Sequence, residues 1–184
     1  KKKMRNVIFY TTLLILALAL QVSGQKLEPG QIASHTDQKM TCVSGKSFSI
    51  ADVAGENGVL VLFSSNACPF VLKWHGRYND LKKWADQHKV GMIVVNSNEK
   101  NRAGVDSYEE MKKLASENGY KFPYVVDKES LLANGWTAQT TPHAFLLNKE
   151  MKLVYKGAID DNHEDATKVK SAYVKDAIAA LAGG

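Results

Sequence analysis

The chain has 184 residues, 24 basic and 19 acidic, with a formal net charge of +5 and 45% hydrophobic side chains. Four of the basic residues and none of the acidic ones fall within the first 24 positions, which leaves twenty against nineteen in the remainder. A nearly neutral remainder of this length accommodates one domain with a real core, is short for two, and offers no basic face for nucleic acid.

Residues 1–24 have the organisation of an export signal. Lys1–Arg5 is basic, Val7 to Leu20 is apolar apart from Thr11 and Thr12, and Val22-Ser23-Gly24 supplies small residues ahead of a cleavage point before Gln25. The expected division is therefore a signal peptide, 1–24, and one domain, 25–184, in the periplasm or outside the cell. The apolar stretch falls short of the roughly 20 residues of a membrane span. An uncleaved signal is the only membrane attachment the sequence offers, and no Cys follows it to carry a lipid. Both Cys residues, Cys42 and Cys68, lie in the exported part, where disulfides persist, so a Cys42–Cys68 disulfide is open. There is no C-x-x-C or H-x-x-x-H pair to suggest zinc, and no cofactor is expected.

In chain order, Lys39–Val43 and Ser47–Ile50 flank Ser44-Gly45-Lys46 as a small hairpin. Val59–Phe63 is apolar throughout, which predicts a central strand covered on both faces. Pro69 opens a helix with Val71, Trp74, Tyr78, Leu81 and Trp84/Ala85 along one stripe. Val90–Val95 is a second buried strand, Asn96–Asp106 a polar loop, and Ser107–Glu117 a helix with Ser107 and Glu110 as a capping box. Phe122–Asp127 is a third strand and Glu129–Asn134 a short helix stopped by Gly135. Ala144–Leu147 and Lys152–Lys156 form a hairpin about Asn148–Met151, and Asp165–Leu181 closes the chain as a helix. The order β-β, β-α-β-α-β-α-β-β-α predicts an α/β fold, a mostly parallel sheet between helices with an antiparallel hairpin at one edge.

The chemistry concentrates where the strand Val59–Phe63 meets the helix opened by Pro69. Phe63-Ser-Ser-Asn-Ala-Cys68-Pro69 puts a single thiol beside a helix N-terminus, where unpaired N–H groups and the helix dipole favour thiolate over thiol.

Phe63–Val71, Ser44-Gly-Lys with Ser49-Ile-Ala-Asp, Val95-Asn-Ser-Asn98, Met111–Ala115, Phe122-Pro-Tyr124, Thr141-Pro-His143 and Tyr155–Asn162 together resemble the exported peroxiredoxin-like (redoxin, AhpC/TSA-type) branch of the thioredoxin superfamily. The resemblance covers nearly the whole of 25–184. It implies a thioredoxin-like fold with a central mixed sheet and an N-terminal hairpin. It also implies a cis bond at Pro142 that holds Thr141 against Cys68, and an exported thiol-dependent oxidoreductase or peroxidase acting on a protein thiol, a disulfide or a peroxide. Cys68 would be the nucleophile, Ser65 the hydroxyl that orients thiolate and peroxide, and Cys42 a candidate resolving thiol.

The family's first active-site Cys is Ser65 here, which closes dithiol exchange within the motif. Val61 stands where peroxiredoxins usually carry Pro, and neither Arg77 nor Arg102 is in the context of their thiolate-stabilising Arg. Other readings stay open. Cys42 can simply fill a strand, Ser65 can be a turn residue, and the groove around Cys68, Thr141 and Pro142 can bind peptides without redox chemistry. Cys68 with His75 and His143 outlines a copper site short of soft ligands, and Asp160-Asp161-Asn162 has too few acceptors for calcium. Trp74, Tyr78 and Trp84 are read as core.

Overall fold

The computed structural model describes residues 26–184; the signal segment 1–24 lies outside the described residues. Seven strands form one sheet: β1 (Met40–Cys42), β2 (Ser47–Phe48), β3 (Gly58–Ser64), β4 (Val90–Asn96), β5 (Tyr124–Val126), β6 (His143–Asn148) and β7 (Leu153–Gly157), in the order β2-β1-β5-β4-β3-β6-β7. Only β3/β4 and β4/β5 are parallel. The expected mostly parallel sheet is thus a mixed one. The N-terminal hairpin joins the same sheet through β1, antiparallel to β5, and β6 runs antiparallel to β3 along its whole length.

Strand alternation sorts the apolar residues into two layers. Leu60 and Leu62 of β3, Met92 and Val94 of β4, and Ala144 and Leu146 of β6 face one side. There they meet Tyr78, Leu81 and Ala85 of α3 (Tyr78–Gln87), Met111 of α4 (Tyr108–Glu117), and Val174 and Ile178 of α6 (Tyr173–Gly183). Val59, Val61, Phe63, Ile93, Val95, Phe145 and Leu147 face the other side, against Ile50 of α1 (Ile50–Val53) and Leu132 and Trp136 of α5 (Leu131–Trp136). Phe63, Trp136 and Phe145 form an aromatic triad with centroids 5.4–5.8 Å apart. Gly91 lets β4 pass the end of α1, because a Cβ there would lie 1.7 Å from the Val53 carbonyl oxygen.

Several elements depart from expectation, each for a local reason. Ser49 and Asp52 form a reciprocal capping box, so Ile50 starts a helix instead of ending a strand. At Ser107 only one arm of such a box forms, because its own N–H donates to Gly104. The helix opened by Pro69 is two helices, α2 (Pro69–Trp74) and α3, joined by a 3-10 turn over His75–Arg77. Gly76, a weak helix former, sits in that turn, and Arg77 is drawn out to Asp160 at 2.9 Å. Trp74 Nε1 donates to the other oxygen of Asp160. Asp160 is therefore a buried clasp between α2–α3 and the loop after β7. α5 begins two residues late because Glu129 and Ser130 are left-handed and the buried Asp127 carboxylate caps the N–H groups of Leu132 and Ala133. α6 begins at Tyr173, since Asp165 caps only a 3-10 turn, Ala166–Lys168, before the chain extends. No helix among the described residues is long and apolar enough to cross a membrane.

Phe145→Ala should lower the free energy of unfolding by about 3–5 kcal/mol, measured by urea denaturation. Val154→Ala, at an exposed position of β7, should change it by less than about 0.5 kcal/mol.

Candidate active site

β3 ends at Ser64, the chain turns over Ser65–Ala67, and Cys68 caps α2 with Pro69 in the first turn. Cys68 is partly exposed and unpaired. Across the site the Thr141–Pro142 peptide bond is cis, and the Cys68 Sγ–H donates to the Thr141 carbonyl oxygen at 3.0 Å. Cys68, Thr141 and Pro142 are thus brought together at the C-terminal end of the central strands. Phe70 and Leu72 flank them as exposed apolar side chains.

Ser65 is a turn residue with a hydroxyl hydrogen-bonded on both its donor and an acceptor side. It accepts from the Ala67 N–H at 3.3 Å and donates to Asp106 Oδ2 at 3.2 Å. Asp106, read from the sequence as the end of a polar loop, is completely buried beneath the turn. Its Oδ1 accepts from the Asn66 N–H and Asn96 Nδ2, both at 2.7 Å, and its Oδ2 also accepts from Asn98 Nδ2 at 2.7 Å. Asn66 is tied in again by the Tyr124 hydroxyl at 2.8 Å, and burial pushes that phenol upward from its ordinary value. The turn that presents Cys68 therefore hangs from a buried carboxylate forty residues downstream. Its only trace in the sequence is the excess of Asn and Asp between Asn96 and Asp106.

Cys42 is not brought to this site. It is buried in β1, in the apolar layer that also contains Phe63. β5 and β4 lie between β1 and β3, so three strand spacings, about 14 Å, separate Cys42 from β3. Cys68 leans away from it, toward Thr141. Cα atoms joined by a disulfide lie within about 7 Å, so Cys42 cannot resolve Cys68 in the folded chain. The two arginines are engaged elsewhere: Arg77 with Asp160 and the Asn162 carbonyl, and Arg102 with Glu99 and the carbonyls of Asn96 and Asp106.

Among the described residues no three His, Cys, Asp or Glu side chains gather in a way that could hold a metal ion. His75, His143 and Cys68 do not form a copper site, and Asp160 serves Trp74 and Arg77. His143, half-buried beside Phe145 with no partner for Nδ1 among the described residues, titrates below its ordinary value, first through burial and then through Lys156 and Lys26.

Two outcomes test this arrangement. Asp106→Ala takes their acceptor from the Asn66 N–H, the Ser65 hydroxyl and one amide N–H each of Asn96 and Asn98, and should cost about 3 kcal/mol or more in urea unfolding. Folding lowers the proton affinity of His143, so the unfolded chain protonates first as acid is added. The stability that neutral His143 contributes is whole above about pH 6.5 and drains as pH falls through that value and on through the folded one. Unfolding free energy measured from pH 7.5 to 5 should lose this component in His143→Phe.

The sequence model of the AhpC/TSA family matches residues 29–156, and no curated protein sequence matches significantly. An uncharacterised conserved protein from Geobacillus kaustophilus superposes with a TM-score of 0.75 at 27% identity, covering 89% of this chain and 85% of that one. A hypothetical protein from Sinorhizobium meliloti gives 0.74 at 26% identity, with 87% of each chain covered. Peroxiredoxin Q of Xanthomonas campestris, at 20% identity and a TM-score of 0.59 over 85% of this chain and 96% of that one, shares the fold. With its thioredoxin-like sheet and a family match over most of its length, the chain belongs to the AhpC/TSA family of redoxins.

Proposed function

We propose that this chain is an exported thiol-dependent redox protein of the peroxiredoxin-like type in which Cys68 is the only reacting sulfur. The observation that carries the reading is the position of Cys68: partly exposed, at the N-terminus of α2, with Sγ against the carbonyl of Thr141. The basic and apolar composition of residues 1–24 supports export.

With Cys42 buried three strands away, the second thiol of any redox cycle comes from outside the chain. Toward a disulfide, the Cys68 thiolate attacks one sulfur, an S–S bond forms and the other sulfur leaves as thiolate. An external thiol then attacks the mixed disulfide and releases Cys68. Toward a peroxide, Cys68 attacks one oxygen and the O–O bond breaks. The leaving oxygen takes a proton and departs as water or alcohol, and Cys68 is left as sulfenic acid. One external thiol condenses with it, releasing water, and a second restores the free thiol. In both cases Ser65, locked to Asp106 and the Ala67 N–H, holds the turn that presents Cys68.

Purified protein should consume a peroxide or a small disulfide in the presence of an external thiol. Cys68→Ser should fall to background, whereas Cys42→Ala should retain the activity. A Cys68→Ser protein that keeps its activity and its captured partners would end the redox reading and leave peptide binding in its place.

A further inference from the structure

Where α2 gives way to α3, a cavity of about 150 Å³ lies between α3, the segment after β7 and the start of α6. Its walls are apolar: Leu81 and Ile159 come from the core, and Ala166, Val169 and Ala172 from the stretch that leads into α6. Two alanines among the five leave the space open. An apolar cavity of this size takes a guest of about six carbons.

Arg77 decides what else the guest carries. Both N–H groups of its Nη1 are spent, on Asp160 Oδ2 at 2.9 Å and on the Asn162 carbonyl at 2.7 Å. Nε and Nη2 make the edge of a guanidinium that receives a carboxylate through two parallel hydrogen bonds. Neither has an acceptor among the described residues, and neither is sealed from the outside. Lys175, in the first turn of α6, also lines the cavity; its ammonium lies 5.7 Å over the Trp84 ring and has no carboxylate partner among the described residues.

The two carboxylates at the cavity offer a cation much less. Asp160 is occupied on both oxygens, by the Trp74 indole and the Asn162 N–H on one and by Arg77 on the other. The Asp80 side chain is 69% exposed and lies 3.4 Å from Lys83, whereas the Arg77 side chain is only 20% exposed. A charge pair formed at Arg77 is therefore screened far less than one formed at Asp80. The cavity favours an anion.

We propose that this cavity binds a small monocarboxylate with a compact apolar body, the carboxylate lying across the Nε–Nη2 edge of Arg77 and the body between Leu81, Ile159 and Val169. The site does not depend on the redox reading. Its occupant shares Arg77 with the Asp160 clasp on the Cys68 helix.

Benzoate is the probe, and its binding is followed through the backbone amide resonances of the isotope-labelled protein. It should bind with a dissociation constant of about 1 mM or tighter, with the shifts centred on Ile159, Val169 and Lys175. Benzamide, which has the same shape without the charge, should bind at least about tenfold more weakly, and benzylamine should also bind more weakly than benzoate. Arg77→Lys keeps a cation for Asp160 and removes the two-pronged edge, so it should weaken benzoate by at least about tenfold. Ala166→Phe, at an exposed position, fills the cavity and leaves the Arg77–Asp160 pair in place; it should abolish saturation by benzoate. The proposal is overturned by the absence of a saturable shift up to about 20 mM benzoate, by shifts centred elsewhere in the protein, or by benzamide or benzylamine binding as well as benzoate. Undiminished binding in a folded Ala166→Phe or Arg77→Lys protein overturns it as well. The benzoate–benzamide comparison is made on the unaltered chain, so it decides the matter even where a variant fails to fold.

Discussion

The backbone of Gly58–Ser64 has no water to turn to, so apart from the bridge between Gly55 and Gly58 its hydrogen bonds must come from the two strands beside it. Its seven residues are buried without exception, and an unpaired N–H or C=O there would cost more than most single contacts contribute. That requirement places β4 on one side and β6 on the other. It also fixes where the strand can first escape, the turn over Ser64 and Ser65. The site is the first point at which this backbone leaves the sheet, and β6 begins immediately after Pro142 on the neighbouring track. Cys68 and Thr141 meet because two strands of one ladder end at the same level.

Polar groups cannot enter such an environment singly, and the way they are paired gives the site its character. Asp106 and Asp127 are each saturated by neutral donors, where a lysine or arginine could have served. Saturation by neutral donors satisfies every one of these buried oxygens. On the opposite flank Asp160 is neutralised by Arg77 and steadied by Trp74. The turn ahead of the Cys68 helix is thus tied down through neutral donors, and the far end of that helix through an ion pair.

Much of this was legible in the residues. An all-apolar run such as Val59–Phe63 can hardly be anything but a central strand, and the Cys-Pro step announces a helix start with a thiol on it. What escaped depends on partners distant in sequence. Asp106 has no periodicity and reads as one more loop residue until the fold brings it under Asn66. The break between α2 and α3 needs Asp160, eighty residues on, to pull Arg77 aside. The late start of α6 reflects competition between Asp165 as a local cap and the sheet as a packing surface. Ser107 looked like a full capping box, yet its N–H had a nearer carbonyl. Local pattern reports what a segment prefers; these positions are settled by what else arrives.

The sequestration of Cys42 bears on how the chain reaches its native state. Once β1 has docked on β5, oxidants meet one sulfur and not the other, so the fold itself sorts the two thiols. Before β1 docks nothing keeps them apart, and in an oxidising compartment a bond between them would have to be stretched across three strand spacings for the sheet to close. Such a bond and the finished sheet exclude each other. Assembly of the N-terminal edge therefore works as a chemical proofreading step: a molecule that has completed its sheet is one in which the two sulfurs are not joined.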